Sequence, residues 1–306
     1  MDTIKTWQNH SGPLLDSVNG FNVIGCRLCR FTHIIPLPSA EDLERIYRDE
    51  YYATVRPSHI AEVQQDLDWW NLVYGDRYEL LEAYLPANHR RILDVGSGPG
   101  YFLLHGKSRG WNGMGLEPST DAASHAAALE LEIVRGLLDA ATVQRLGQFD
   151  VVHMSEVLEL VPDPAAALRL ARNMLHPAGL LCAIVANNYN AFQRALRSTC
   201  GLDPWWVQPP VHINYFNFES ITALLTRCGY EVLHTEANFP MEIFLLMGDN
   251  YRTDSALGRK CHQKRVCFER KLSAAGMSDV KRRLYQALAG CGLGREALIV
   301  ARRAEL

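Results

Sequence analysis

The sequence predicts a doubly wound α/β fold: a mostly parallel seven-stranded sheet, with an N-terminal cap before it and a helical insertion ahead of its last strand. Three observations predict it. Short apolar runs such as Ile92-Leu93-Asp94-Val95 recur through residues 91–186. Helical stretches separate them, and strands alternating with helices of roughly 10–15 residues form a parallel sheet covered on both faces. A glycine-rich turn, Gly96-Ser97-Gly98-Pro99-Gly100, follows the first run directly.

Residues 1–40 read as turn-rich, with one Cys-x-x-Cys (Cys26 and Cys29) ahead of the Pro36-Leu37-Pro38 punctuation. Ser39 is placed to cap a helix, with Asp42 three positions on and Leu43, Ile46 and Tyr47 at helical spacing. A second helix runs from about Asp66 to Leu85 and stops at Pro86, where the chain cannot continue helically. Strands follow at Ile92–Val95, Gly113–Glu117, Phe149–Met154 and Leu180–Ala186, with a weaker one at Leu131–Val134. The helix Pro164–Leu175 has Asp163 as its cap and Pro164 at its first position. Past Ala186 the pattern loosens through a Trp- and Pro-rich stretch, 204–210. A helix at Phe218–Cys228 is stopped by Gly229. Tyr230–Thr235 and Ala297–Ala301 complete the strands. The expected organisation is a cap at 1–65, a core at 66–237, a basic helical insertion at 238–294 and a final core strand at 295–306.

The chain has 306 residues, 48% hydrophobic and 21% charged, which excludes disordered, collagen-like and coiled-coil classes. No apolar run approaches the ~18 residues of a membrane span, and the first residues lack the basic-then-apolar order of a secretory signal. Eight cysteines at irregular spacings fit a reducing compartment, so a cytoplasmic protein is expected. Net charge is −3, yet Tyr251–Arg303 holds 13 Lys or Arg against four Asp or Glu. Those charges are either solvated helix faces or a flank that attracts a phosphorylated or carboxylated substrate.

In an open α/β sheet, ligands sit beyond the carboxyl ends of strands, where strand order reverses. The turn after the first strand is therefore the place to look. Asp94-x-Gly96-x-Gly98-x-Gly100 strips side chains from alternate positions, so a ligand can approach the backbone. The nicotinamide fingerprint needs a third glycine at 101, which is Tyr101, and the Gly-Lys-Ser/Thr of a phosphate-binding loop is absent. Glu117, 21 residues past Gly96, ends the next strand, where a carboxylate can accept both ribose hydroxyls. It supports a nucleoside without choosing among them.

Three segments in order, from Ile92 to Phe102, from Gly115 to Ser119 and from Phe149 to Pro164, resemble the class I S-adenosylmethionine-dependent methyltransferases, a Rossmann-like family. The resemblance covers about residues 65–236 plus the final strand. It implies that Asp94, Gly96, Ser97, Gly98 and Gly100 line the methionine and ribose portion of the cofactor. It also implies that Glu117 holds the ribose, Pro118 borders the adenine, and the Gly136–Asp139 segment, with Leu137 and Leu138, contacts the adenine ring. Met154, Ser155 and Glu156 would lie under the sulfonium. The chain departs from the family at Glu159-Leu160-Val161, where relatives commonly read Glu-His-Val, so a base at that position is lacking. The stretch from Cys26 to Tyr52 also looks like the segment preceding many such domains, where another cysteine pair usually completes a zinc ribbon.

A structural zinc site needs four ligands. Only Cys26, Cys29 and His33 are near one another in sequence, and His10 joins them only by folding back. A relic turn without metal is therefore expected, and Cys261, His262 and Cys267 read as packing residues on a helix. On the acceptor side, Asn187 and Tyr189 leave the sheet at its ligand edge, Trp205 and Trp206 either wall a pocket or pack in the core, and Tyr215 follows. His212 is the candidate base or substrate hydrogen-bonder, unless it caps local backbone, and Glu242 is a weaker second base. Tyr51 and Tyr52 are either a lid or plain packing. The expected activity is methyl transfer from S-adenosylmethionine to an oxygen or nitrogen of a small molecule (a sugar, an anionic or a carrier-linked metabolite), releasing S-adenosylhomocysteine. A non-catalytic binding protein of the same fold and a nicotinamide-dependent oxidoreductase are the alternatives. Neither a nucleic-acid nor a membrane partner is expected, and the sequence is silent on oligomeric state.

Overall fold

The computed structural model describes residues 4–305. The chain opens with β1 (Ile4–Trp7), β2 (His10–Val18), β3 (Phe21–Gly25) and β4 (Thr32–Ile35). The turn-rich reading of this region is corrected here: its turn residues connect antiparallel strands. Asn19 and Gly20, with φ of 49° and 80°, make the tight link between β2 and β3, the left-handed geometry that Asn-Gly favours.

Next comes α1 (Ala40–Arg45), capped as expected by Ser39, whose Oγ accepts the Asp42 N–H at 3.1 Å. A wider π-helical segment, Ile46–Val55, continues from it, followed by α2 (His59–Gln65) and α3 (Leu67–Tyr84), which ends before Pro86. Then strands and helices alternate: β5 (Arg91–Val95), α4 (Tyr101–Ser108), β6 (Asn112–Glu117), α5 (Thr120–Ala128), β7 (Glu132–Arg135), α6 (Ala140–Leu146) and β8 (Phe149–Ser155). In α7 (Pro164–Asn173), Asp163 Oδ1 accepts the Ala166 N–H at 2.9 Å. This helix is shorter than expected, because Leu175 already opens the long β9 (Leu175–Ala186). The remainder is α8 (Ala191–Cys200), β10 (Asn214–Tyr215), α9 (Phe218–Arg227), β11 (Tyr230–Ala237), α10 (Glu242–Leu246), α11 (Ser255–Ala274), α12 (Ser278–Gly290) and β12 (Glu296–Arg303). The stretch before the last strand is helical, as its composition predicts.

Two sheets result. One has five strands in the order β1-β2-β3-β4-β10; the other has seven in the order β11-β12-β9-β8-β5-β6-β7. In the larger sheet β5 pairs in parallel with both β6 and β8, and β6 pairs in parallel with β7. From β5 the chain steps outward through β6 to β7, then returns to the other flank with β8 and β9. The order therefore reverses at β5/β8, and a crevice forms beyond the carboxyl ends of those strands. Residues Phe149 to Met154 of β8 are all buried, Asp150 and His153 among them, as befits a strand in the middle of a sheet covered on both faces.

The chain packs as two compact units, residues 1–37, 184–224 and 234–299 in one, and residues 38–183, 225–233 and 300–306 in the other. No helix among the described residues is long and apolar enough to cross a membrane.

Candidate functional site

The crevice at β5/β8 lies within the second of these units. Gly96, Gly98 and Gly100 have φ of 69°, 53° and 86°, so the loop winds through left-handed geometry that side chains resist. A Cβ at Gly98 would lie 2.9 Å from the Tyr52 hydroxyl, and one at Gly100 would run into Leu131 and Ala126 at 2.6 and 2.8 Å. The loop is fastened to the next strand. Gly96 N–H donates to the Leu116 carbonyl at 2.7 Å, and Gly98 N–H donates to Glu117 Oε2 at 2.8 Å. Glu117 Oε1 accepts the Ser119 N–H at 2.8 Å, so one buried carboxylate knits loop, strand end and the start of α5 together. Burial, opposed only in part by these two N–H donors, pushes its pKa up to about 7. Each of its oxygens keeps acceptor capacity for a further hydroxyl.

At the floor of the crevice Asp94 Oδ1 lies 2.6 Å from His153 Nδ1, with both side chains buried. The imidazole stacks on Phe102 at 4.0 Å between ring centroids. Burial holds the His153 pKa below its ordinary value even against the attraction of Asp94. Sequence reading named Asp94 but missed His153. The available signal was register, since the two residues are direct partners in the parallel β5–β8 ladder. The buried Ser97 Oγ and His153 Nε2 have no hydrogen-bond partner among the described residues. Open polar capacity beside a bare-backbone loop, with a buried acid at the adjoining strand end, is a donor and acceptor set that fits an adenosyl cofactor. Tyr52, from the π-helical segment, stands over Gly98, and its ring lies 5.2 Å from that of Tyr51. Burial first, then the nearby Glu117, raise the pKa of the Tyr52 hydroxyl, so it is neutral. Pro118 is half-buried, Leu137 and Glu156 are exposed, Leu138 and Ser155 are half-buried, and Met154 is wholly buried in β8.

A family model described as a methyltransferase domain matches residues 71–235, over half of the chain. The chain belongs to this methyltransferase-domain family. Together with the doubly wound sheet, that makes it a class I S-adenosylmethionine-dependent methyltransferase by family, as the motifs suggest. The ubiquinone biosynthesis O-methyltransferase of Escherichia coli O7:K1 is 32% identical over 96 residues, 29% of this chain and 40% of that protein. The protein of the same name from Ralstonia nicotianae is 29% identical over 109 residues, 34% of this chain and 46% of that one. The chain thus spans less than half the length of these curated relatives. Among solved structures, a chain of the complex between the Haloferax volcanii Trm112 methyltransferase activator and its candidate methyltransferase has a TM-score of 0.52 at 16% identity, covering 84% of this chain and 97% of that one. That likeness is one of fold.

The other unit of this methyltransferase-domain protein carries the residues expected on the acceptor side, and the structure sorts them. Two polar groups turn inward. The Asn187 amide donates to the Gly292 and Gly294 carbonyls at 3.0 and 2.9 Å, so it pins a turn. The Tyr215 hydroxyl donates to the His212 carbonyl at 2.8 Å and accepts the Gln208 N–H at 3.2 Å, fastening the loop between them. Both are expected as substrate contacts; each holds backbone here, and the buried Asn187 Oδ1 has no hydrogen-bond partner among the described residues. His212 itself is half-buried in that loop. Glu242 is buried at the start of α10 and accepts from Gln193 Nε2 at 3.1 Å. Trp206 is buried against Tyr189, their rings 5.4 Å apart, whereas Trp205 borders a hollow of about 540 Å³ with Leu14, Asp16, Arg197 and Asp203. Asp16 is a second residue the sequence hid. Its carboxylate accepts from the Tyr189 hydroxyl at 2.8 Å and pairs with Arg197 at 2.6 Å, joining β2 to α8 across more than 170 positions. Tyr189 meets it from a left-handed backbone, φ 55°, an uncommon conformation for a bulky residue. Of the residues read as packing on this helix, Cys261 is buried against Met241 and Phe244, whereas Cys267 is exposed, which corrects that reading for it.

The N-terminal cysteine pair departs most from expectation. His10 does fold back: one donor atom from each of His10, Cys26, Cys29 and His33 lies within 4.8 Å of the others. A hairpin closes the distance that the sequence leaves open.

Proposed function

We propose that the protein transfers a methyl group from S-adenosylmethionine to an oxygen or nitrogen of a small molecule, leaving S-adenosylhomocysteine. The observation that carries this reading is the glycine loop tied through Gly98 to the buried Glu117 carboxylate, at the point where strand order reverses. In this reading Gly96, Ser97, Gly98 and Gly100 receive the methionine and ribose portion along bare backbone, and Glu117 accepts the ribose hydroxyls. Pro118, Leu137 and Leu138 border the adenine. Asp94, held by His153, faces the methionine end, with Ser155 and Glu156 beside it. Tyr52 closes over Gly98 and excludes water.

The sulfonium supplies an already activated methyl carbon: the acceptor's lone pair forms the new bond as the carbon–sulfur pair returns to sulfur. The protein's part is then alignment and exclusion of water, which can supply ~7–11 kcal/mol. An oxygen acceptor also needs its proton removed, a task for a base such as His. His212 is our candidate, with Trp205 and Tyr189 of the same unit in acceptor recognition. The O-methyltransferase names of the curated relatives support an oxygen acceptor. The excess of Lys and Arg over residues 251–303 supports one that carries negative charge, although Arg265 and Lys281 are buried and so unavailable to it.

Calorimetry with S-adenosylmethionine, S-adenosylhomocysteine and NAD tests the reading. Binding of the first two without the third is expected. Glu117→Ala should weaken that binding by about 1–3 kcal/mol, the cost of losing hydrogen bonds to a charged group. Unchanged affinity in the variant would show that the cofactor lies elsewhere.

A further inference from the structure

The five-stranded sheet holds a chemistry that methyl transfer does not use. His10 opens β2, Cys26 and Cys29 span the turn after β3, and His33 lies in β4. From His10 Nδ1 the separations are 3.2 Å to His33 Nε2, 3.3 Å to Cys29 Sγ and 3.6 Å to Cys26 Sγ. Ligands around a tetrahedral ion, at about 2.0–2.1 Å for nitrogen and about 2.3 Å for sulfur, stand roughly 3.3–3.8 Å from one another. The three measured separations agree with such edges to about 0.3 Å. Hydrogen bonding does not account for them together. An imidazole Nδ1 offers either one N–H or one lone pair, so at most one of its three contacts is a hydrogen bond. A cation drawing one lone pair from each group satisfies all four.

The surroundings are those of a built site. His33 Nδ1 faces the Ile34 carbonyl at 2.8 Å, which places the ring proton on that nitrogen and leaves the Nε2 lone pair for the cluster. Cys29 N–H points at Cys26 Sγ at 3.5 Å, a contact that favours a thiolate. The turn between the cysteines is closed by Arg30 N–H to the Cys26 carbonyl at 2.9 Å and Cys26 N–H to the Phe31 carbonyl at 3.1 Å. It includes Arg30 at a φ of 61°, a left-handed conformation a non-glycine residue takes only when its surroundings hold it there. Cys26 and His33 are buried, while His10 and Cys29 are half-buried.

We propose that His10, Cys26, Cys29 and His33 hold a structural zinc ion. Two thiolates and two imidazoles filling all four positions select zinc over harder cations and leave no open position for catalysis. The ion would clip the first residue of β2 to the β3–β4 turn and to β4. In the β4–β10 pairing His33 is the partner of Asn214, and Ile34 N–H donates to the Ile213 carbonyl at 3.0 Å. Holding β4 therefore also holds the strand that follows His212. The zinc assignment stands or falls independently of the proposed methyl transfer.

The full chain, produced in zinc-supplemented medium and dialysed without chelator, should contain about one zinc per molecule by mass spectrometry of the metal. Cobalt(II) in its place should give the intense visible bands of a tetrahedral thiolate site. Cys26→Ser and His10→Ala should lose the metal, while Cys200→Ser and Cys267→Ser, at exposed cysteines outside the cluster, should keep it. Because the cluster variants could unfold, the native protein supplies a second readout. Stripping it with a strong chelator should lower hydrogen-exchange protection of the β4 and β10 amides, and added zinc should restore it. Folded native protein with no more than about a tenth of an equivalent of zinc would overturn the proposal, as would zinc retained in the Cys26→Ser/Cys29→Ser double variant. A Cys26–Cys29 disulfide in freshly purified native protein would do the same.

Discussion

The two sheets build their sites by opposite means. The seven-stranded sheet concentrates its chemistry in short stretches of sequence: Asp94 and the glycine loop are contiguous, and Glu117 follows one helix later. The parallel ladder then needs only to place β5 beside β6 for the loop and the acid to meet. The five-stranded sheet collects single residues, His10, Cys26, Cys29 and His33, and only its hairpins bring them together. Where a site is local in sequence, the backbone conformation carries the function. Where it is assembled, register carries it. Substitutions at glycines distinguish the two cases, because a glycine can matter through its own dihedral angles or through the space beside it.

The largest effects should come from Gly100→Ala in one sheet and Gly12→Ala in the other. At Gly100 a side chain would be both left-handed and in collision with Leu131 and Ala126. At Gly12 the dihedral is ordinary for a strand, but a Cβ would run into the Gly25 carbonyl oxygen, next to Cys26. Either should cost about 2–5 kcal/mol of stability, from left-handed strain and overpacking at Gly100 and from overpacking of backbone at Gly12. The variants should then diverge in readout. Gly100→Ala should lose affinity for S-adenosylhomocysteine in calorimetry, and Gly12→Ala should lose zinc. Loss of cofactor affinity alone in Gly12→Ala would break the division drawn between the sheets.

Legibility in sequence follows the same division. Strands β5, β8 and β9 lie in the middle of the sheet, are buried along most of their length and are mainly apolar, so they could be read, apart from the first five residues of β9. Strands β1, β3 and β4 are only four or five residues long, and in β2 buried residues are sparse, so turns dominate what the sequence shows. The Asn19-Gly20 pair was the available hairpin signal there. On the site side, the glycine loop and Glu117 were legible because the chemistry dictates residue type at fixed spacing. His153 and Asp16 were not, since each gains its meaning from a partner on another element, Asp94 in one case and Tyr189 with Arg197 in the other. For Asn187 and Tyr215 the sequence likewise did not show the backbone partners that each side chain takes.

A smaller effect, with a defined sign, is expected at Glu117. Its pKa is pushed up to about 7 by burial, against an ordinary 4.5. Between these values the folded state retains a proton that the unfolded chain has lost, so the ligand-free protein should lose stability as pH rises from 4.5 to 7 and lose no more above it. The full contribution is about 3 kcal/mol at most. Glu117→Gln, a neutral stand-in for the protonated acid, should flatten this part of the profile while binding the cofactor more weakly. Denaturant midpoints of both proteins across that pH range check it, and parallel profiles would mean that the carboxyl is better solvated than its burial indicates.

The smallest effect isolates the dihedral angle from the space around it. Gly20 has the same left-handed sense as Gly100, φ 80° against 86°, but nothing lies within 4 Å of where its Cβ would stand. Gly20→Ala should therefore cost only the left-handed preference, about 1 kcal/mol, and lower the melting temperature by roughly 2 °C in a chain of this size. Metal content and cofactor affinity should both stay at native values. If zinc were lost with so small a change, the β2–β3 turn would be setting the register that brings His10 to the cysteines. The hairpin dihedrals, more than the packing of Gly12 against Gly25, would then govern assembly of the cluster.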